Sequence, residues 1–254
     1  MSSKITDGVK MLLIKRWQEA QKYERRFWLE DQEKRYIRDG GRKELFYKER
    51  ASSIMKWIET AASIERPIGR VLEVGSGPLG ICGFVDAIEK HSIDSLEHFY
   101  VTRPAFTRLR KKSVNYKDGK FENLPYRDKY FDIIITENAI DHTLQPSRAL
   151  SEAYRVINNG GHLYILTHVQ TAFAFCIKWI LEKTLKIDKG HPHIFTKSKT
   201  KNILRENGFK VIKENCETYL EAGRKNFQEG YWYRKIYTIL GLAGMDYRVF
   251  CSKS

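Results

Sequence analysis

The chain has 254 residues, 42% hydrophobic and 30% charged, which suits one soluble α/β unit with a full core and leaves little room for two separate domains. Lysine and arginine outnumber the acids 45 to 31; the resulting formal charge of +14 fits first a solvated basic surface, and second an anionic partner such as RNA, an anionic membrane or an acidic small molecule. Cys82, Cys176, Cys216 and Cys251 form no CxxC pair, so neither a disulfide framework nor a zinc site is suggested, and reduced thiols in the cytoplasm are expected.

The apolar run Met11–Ile14 is too short for a secretory signal, and Ala172–Leu181 is interrupted by Lys178 and too short to cross a bilayer. No transmembrane segment is expected, while surface contact with a membrane remains compatible with the sequence. The first part of the chain reads helical. Trp17, Ala20, Tyr23, Phe27 and Trp28 recur at three- and four-residue steps and share a face opposite Lys15, Glu19, Lys22, Arg25 and Arg26. Asp39-Gly40-Gly41 breaks the pattern. A second helix is predicted over Lys43–Ile64, with Phe46, Ile54, Trp57 and Ile58 turned inward.

Beyond Gly69, short β-branched runs alternate with helical patterns. Arg70–Val74 is read as a strand and Gly80–Lys90 as a helix; Glu97–Thr102 follows as a strand and Pro104–Lys112 as a helix. Phe131–Thr136 and His162–His168 are the clearest strands, separated by a helix over Pro146–Ile157. Thr196–Asn207 reads as a capped helix stopped at Gly208, and Phe209–Glu217 and Tyr247–Ser252 as the last strands. Strands separated by helices imply right-handed crossovers and a mostly parallel sheet. Two connections, over residues 169–195 and 218–245, exceed ordinary loop length and are rich in aromatics, as functional insertions often are. The division expected is a helical extension or lid over residues 1–66 and a main domain over 67–254 that carries both insertions.

The segment Val71-Leu72-Glu73-Val74-Gly75-Ser76-Gly77-Pro78-Leu79-Gly80 is an apolar strand followed by a glycine turn. Gly75 and Gly77 let the backbone turn sharply and admit a ligand without Cβ atoms in the way. Free N–H groups at a helix start attract electron-rich ligand atoms. A GxGxxG pattern alone serves many folds. An acid two residues before the first glycine is more telling. Near a dinucleotide pyrophosphate Glu73 would repel, whereas it can neutralise the sulfonium and amino groups of S-adenosylmethionine. Two helices before the loop also differ from a dinucleotide fold, which commonly opens with this strand.

Five further pieces follow in order: Phe121-Glu122-Asn123-Leu124-Pro125-Tyr126, Tyr130-Phe131-Asp132-Ile133-Ile134-Ile135, Glu137-Asn138-Ala139-Ile140-Asp141-His142, Ala149 through Ile157, and Gly160-Gly161-His162-Leu163. With their spacing, this run resembles the small-molecule class I S-adenosylmethionine-dependent methyltransferases of the ubiquinone-biosynthesis-like group, over roughly Arg70 to Glu217. The resemblance implies a Rossmann-like seven-stranded sheet with helices on both faces and one antiparallel strand near an edge. It implies that Glu73, Gly75, Ser76 and Gly77 hold the methionine end of the cofactor. It places Phe121 and Glu122 at the adenine edge with Leu124 near the ring, and Glu137, Asn138 and Ala139 near the methyl group. The family also grips the ribose with an acid ending its second strand. Here Tyr100-Val101-Thr102-Arg103 offers Thr102 there, with Arg103 beside it. Either Thr102 or another residue holds the ribose, or the second strand lies elsewhere, or cofactor binding is lost.

Methyl transfer from a sulfonium is an in-line displacement that needs an aligned nucleophile and sometimes a base. His142, with Asp141 beside it, is the candidate base or substrate orienter; a structural histidine is the alternative. His168, His191 and His193 lack an adjoining acid or cysteine, so no metal site is expected. Trp17, Tyr23, Phe27 and Trp28 form either a lid or a stripe packed on the sheet. Three functions remain: methylation of a small or medium-sized molecule, RNA methylation through the basic surface, and non-catalytic binding on a methyltransferase fold. Against RNA, Glu137-Asn138-Ala139-Ile140 is not the Asn/Asp-Pro-Pro-aromatic segment of base amino methylation, and no Pro-Cys nucleophile is present.

Overall fold

Strands β1 (Ile68–Val74), β2 (Ala87–Asp94), β3 (Val114–Asp118), β4 (Phe131–Glu137), β5 (Ile157–Val169), β6 (Phe209–Cys216) and β7 (Met245–Lys253) form one sheet in the order β3-β2-β1-β4-β5-β7-β6. The computed structural model describes residues 2–185, 192–228 and 232–253. Strand β7 runs antiparallel to both β5 and β6, and the other described pairings are parallel. The expected mostly parallel sheet with one reversed strand near an edge is therefore present.

The central strands are apolar on both faces, as a covered parallel sheet requires. Leu72, Ile134, Leu163 and Ile165 point into one core, with Ala149, Leu150 and Ala153 of α6 (Pro146–Val156) and Leu204 of α8 (Lys197–Glu206). Val71, Ile133, Ile135 and Leu166 point into the other, with Ala51, Ile54, Met55 and Ile58 of α3 (Gly40–Glu59). Helix α8 starts as expected, with the Thr196 side chain accepting from the Lys199 amide. It ends at Gly208, whose φ of +84° suits glycine.

The region between β1 and β3 differs from expectation. Gly80–Lys90 is not a helix: Gly80 has φ +69°, only a 3₁₀ turn forms over Cys82–Phe84, and β2 begins at Ala87. With no crossover helix, α3 covers this face, packing against Ile81, Cys82 and Val85. Glu97–Thr102 is not a strand. It contains the short helix α4 (Glu97–Tyr100), followed by α5 (Pro104–Thr107). The β-prone residues Phe99 and Tyr100 are claimed instead by an aromatic cluster with Tyr36, Phe106 and Trp28. The expected second strand was thus misplaced, and β3 had no counterpart in the sequence reading.

Helix α1 (Ser2–Phe27) passes through a π-helical turn, Trp28–Gln32, into α2 (Glu33–Arg38). Trp28 makes edge contacts with Tyr100 and Phe106, at centroid distances of 5.6 and 6.0 Å. Helix α3 is shorter than expected, and Phe46 is 58% exposed rather than turned into the core. The long connections carry α7 (Ala172–Leu185) and the pair α9 (Tyr219–Gln228) and α10 (Trp232–Ile239). His191 lies outside the described residues.

Candidate functional site

The carboxyl ends of β1, β2 and β4 meet beneath α1, and a cavity of about 830 Å³ opens there. This is where an open α/β sheet offers a crevice for a ligand. The turn after β1 forms its floor. Gly75 and Gly77 adopt φ of +74° and +60°. A Cβ on Gly75 would come within 2.3 Å of the Ala139 Cβ, so only glycine fits there. A Cβ on Gly77 would lie 3.2 Å from the Trp28 ring.

Glu73, Ser76 and Gly77 line the cavity with Gly75. The Glu73 carboxylate also closes the turn, accepting from the amides of Ile81 at 2.9 Å and Cys82 at 2.8 Å. The N–H groups that the sequence reading offered to a ligand are thus partly satisfied from within. Burial pushes the Glu73 carboxyl up to about 8, against the opposing pull of those amides.

Asp94, which ends β2, is the acid that the sequence reading missed. Its Oδ2 accepts from the Gly77 amide at 2.8 Å, and its Oδ1 from the Leu96 amide at 2.9 Å. It lines the cavity, and burial raises its carboxyl to about 7. Thr102 and Arg103, expected at this place, lie outside the cavity lining. The Thr102 hydroxyl donates to the Phe99 carbonyl, and Arg103 sits over the Phe99 ring and near Glu33. Spacing was the available signal, because in dinucleotide-binding folds the acid that meets the ribose follows the glycine turn by about 20 residues.

Glu137, which ends β4, and Asn138 and Ala139, which follow it, line the cavity. Glu137 is held by Arg50 of α3 in a two-pronged ion pair, Nε–Oε2 2.9 Å and Nη2–Oε1 2.5 Å, and accepts from the Tyr164 hydroxyl at 3.2 Å. Asn138 takes the left-handed conformation at φ +50°, a strained geometry that often marks functional sites. Phe121 and Glu122 also reach the cavity, whereas Leu124 is buried in the core beside it. The Glu122 carboxylate accepts from the Leu144 and Gln145 amides, which sets the loop entering α6.

His142 lines the cavity, with Nδ1 3.7 Å from Oε2 of Glu24 on α1. Asp141 is 3% exposed and outside the lining, so it does not share the position expected for it beside His142. Trp17, Gln21 and Glu24 of α1 and Trp28 of the π-helical turn line the cavity, and Trp28 also packs against the aromatic cluster of Tyr100 and Phe106. Tyr233, Arg234 and Tyr237 of α10 also line the cavity.

Residues 72–165 match a family model described as a methyltransferase domain. Over 120 residues the chain is 30% identical to 2-methyl-6-phytyl-1,4-hydroquinone methyltransferase 1, chloroplastic, of Oryza sativa, covering 44% of this chain and 36% of that protein. It is 25% identical over 121 residues to a sarcosine/dimethylglycine N-methyltransferase of Aphanothece halophytica, covering 46% of this chain and 43% of that protein. The chain thus spans well under half the length of these relatives. Among solved structures it resembles geranyl diphosphate C-methyltransferase of Streptomyces coelicolor, crystallised with Mg²⁺, geranyl diphosphate and S-adenosyl-L-homocysteine. That match has a TM-score of 0.60 at 9% identity, covering 80% of this chain and 79% of that one.

Proposed function

We propose that this chain, which carries a methyltransferase domain of the class I, Rossmann-like type, binds S-adenosylmethionine in the cavity beneath α1 and passes its methyl group to an oxygen, nitrogen or carbon atom of a small or medium-sized molecule. The observation that carries the reading is Asp94, a buried acid ending β2 and bonded to the glycine turn that ends β1. A carboxylate there can accept from both ribose hydroxyls, a role that Thr102 would then not need to fill. Gly75 and Gly77 leave the floor free of side chains, and Glu73 sets a negative charge beneath a cationic ligand.

The cofactor supplies an electrophilic methyl group on a sulfonium. Everything else is positioning by this chain. Phe121, Asn138 and Ala139 all line the cavity; Phe121 would border the adenine, and Asn138 and Ala139 would lie nearer the methyl group. Arg50 neutralises Glu137, so the carboxylate there is a fixed wall rather than a base. His142 is the group placed to orient the acceptor or take its proton. The α1 roof limits water around the reacting atoms. About 830 Å³ lies high in the range of ligand pockets, roughly 300–1,000 Å³, which leaves room for an acceptor beside the cofactor. The free cysteines fit a reducing compartment, and the cytoplasm is the proposed site of action.

Incubation with methyl-labelled S-adenosylmethionine and pooled small-molecule acceptors should yield labelled product and S-adenosylhomocysteine. Folded protein that gives no saturable heat with S-adenosylmethionine would overturn the reading. Label entering RNA in place of small molecules would move the acceptor class.

A further inference from the structure

Helix α10 has two faces. Tyr233, Arg234 and Tyr237 wall the cavity. On the other side, Trp232, Ile236 and Ile239, with Leu240 just past the helix end, are 72%, 45%, 73% and 56% exposed. Their spacing puts them in one row. The row is held outward by α9, because the Tyr219 hydroxyl donates to the Thr238 carbonyl at 2.7 Å and the Asn226 amide to the Thr238 hydroxyl at 2.9 Å. Phe173 of α7 extends it: the ring is 61% exposed and 3.3 Å from where a Cβ on Gly241 would lie. Single exposed apolar side chains are normal on soluble proteins, but a continuous row beside a cavity mouth indicates contact with something apolar.

Charge selects the partner. The described parts of α9 and α10 carry Arg224, Lys225, Arg234 and Lys235 against the single acid Glu221, on a chain of formal charge +14. Lys225 pairs with Glu217 and Asp246 and Arg234 lines the cavity, which leaves Lys235 of α10 and the exposed Arg224 of α9 as the cations of this helix pair. A helix with tryptophan and isoleucine on one face and lysine at its margin, on a strongly basic chain, is suited to lie in the plane of an anionic bilayer interface. Its rings and aliphatic stems enter the head-group boundary while the cations meet lipid phosphates. No helix among the described residues is long and apolar enough to span a membrane, so this contact is peripheral.

We infer that the outer face of α10, continued by Leu240 and Phe173, docks on an anionic bilayer and turns the α10 wall of the cavity toward the lipid. The inference stands apart from the methyl-transfer reading, because docking depends on the outward side chains and not on what fills the cavity. It gives an amphipathic ligand a short path from bilayer to cavity, past Tyr233 and Tyr237.

The test is co-sedimentation of the full chain with vesicles of phosphatidylcholine alone and of equal parts phosphatidylcholine and phosphatidylglycerol. The protein should pellet with the anionic vesicles and much less with the neutral ones, and added salt should weaken the binding. Ile236→Ser with Ile239→Ser changes two exposed residues outside the cavity lining. The double variant should lose at least about tenfold in vesicle affinity with an unchanged Tm. Three results would overturn the inference: no pelleting with anionic vesicles, equal pelleting of the variant, or a lipid-free dimer of the wild type that the variant abolishes. The last would assign the row to a second copy of the chain.

Discussion

The Gly77 amide donates to Asp94 Oδ2 at 2.8 Å, tying the turn after β1 to the end of β2. The same carboxylate therefore shapes the floor of the cavity and forms part of its wall. Asp94→Asn keeps the size but removes the charge that two hydroxyls would share, and it can accept from only one of the Gly77 and Leu96 amides. Hydrogen bonds to charged groups contribute about 1.5–3 kcal/mol, so S-adenosylmethionine affinity should fall roughly 10- to 100-fold by calorimetry. Unchanged affinity would show that Asp94 only closes the turn.

Protonation gives a second expectation. Burial raises Glu73 to about 8 and Asp94 to about 7, against unfolded values near 4. Between about pH 4 and 8 the folded protein without ligand holds more protons than the unfolded chain, so its stability falls as pH rises. A cationic ligand favours both carboxylates ionised and expels those protons. Binding near pH 7 should release about one proton, seen as a dependence of calorimetric heat on the buffer, and the gain in Tm should be larger at pH 8 than at pH 6. Proton uptake on binding would contradict this.

The glycine turn makes a third. Gly75→Ala puts a Cβ against that of Ala139 at a φ of +74°. Such a substitution should cost about 2 kcal/mol or more, lowering Tm by several degrees, so it tests folding and not binding alone. Gly77→Ala meets the Trp28 ring at 3.2 Å, and its effect on ligand affinity should shrink in a Trp28→Ala background. Equal effects in both backgrounds would separate the roof from the floor.

Arg50 and Glu137 supply a fourth. The pair is about one-fifth exposed on each side, 23% and 21%, and doubly bonded. Arg50→Ala leaves a carboxylate with only the Tyr164 hydroxyl among these partners and should cost about 1–3 kcal/mol in urea unfolding. Arg50→Ala combined with Glu137→Gln should cost less than the sum, and additive costs would show that the pair is not coupled.

Those elements whose local signals agree with their packing were legible in the sequence. Strands β1, β4 and β5 are apolar runs buried on both faces, and α8 carries its cap and its glycine stop. Strand β2 was hidden because His91 and Ser92 are buried polar residues, with the imidazole enclosed by the rings of Tyr126, Tyr130 and Phe131. The stretch over residues 97–102 looked like a strand because its aromatics favour sheets, yet Phe99 and Tyr100 pack with Phe106 a few residues on and with Trp28 from the N-terminal helical segment. That error put the end of the second strand at Thr102, whereas the acid that ends β2 is Asp94. Arg50 and Glu24 were invisible for a related reason: a charged helical residue reveals its partner only once the helix is docked.

The most direct test is a crystal structure of the chain with S-adenosylhomocysteine. Its ribose should lie within hydrogen-bond distance of Asp94, its homocysteine end should run over Gly75–Gly77, and its sulfur should face His142. Density for the product elsewhere on the protein, or a ribose out of reach of Asp94, would contradict the account.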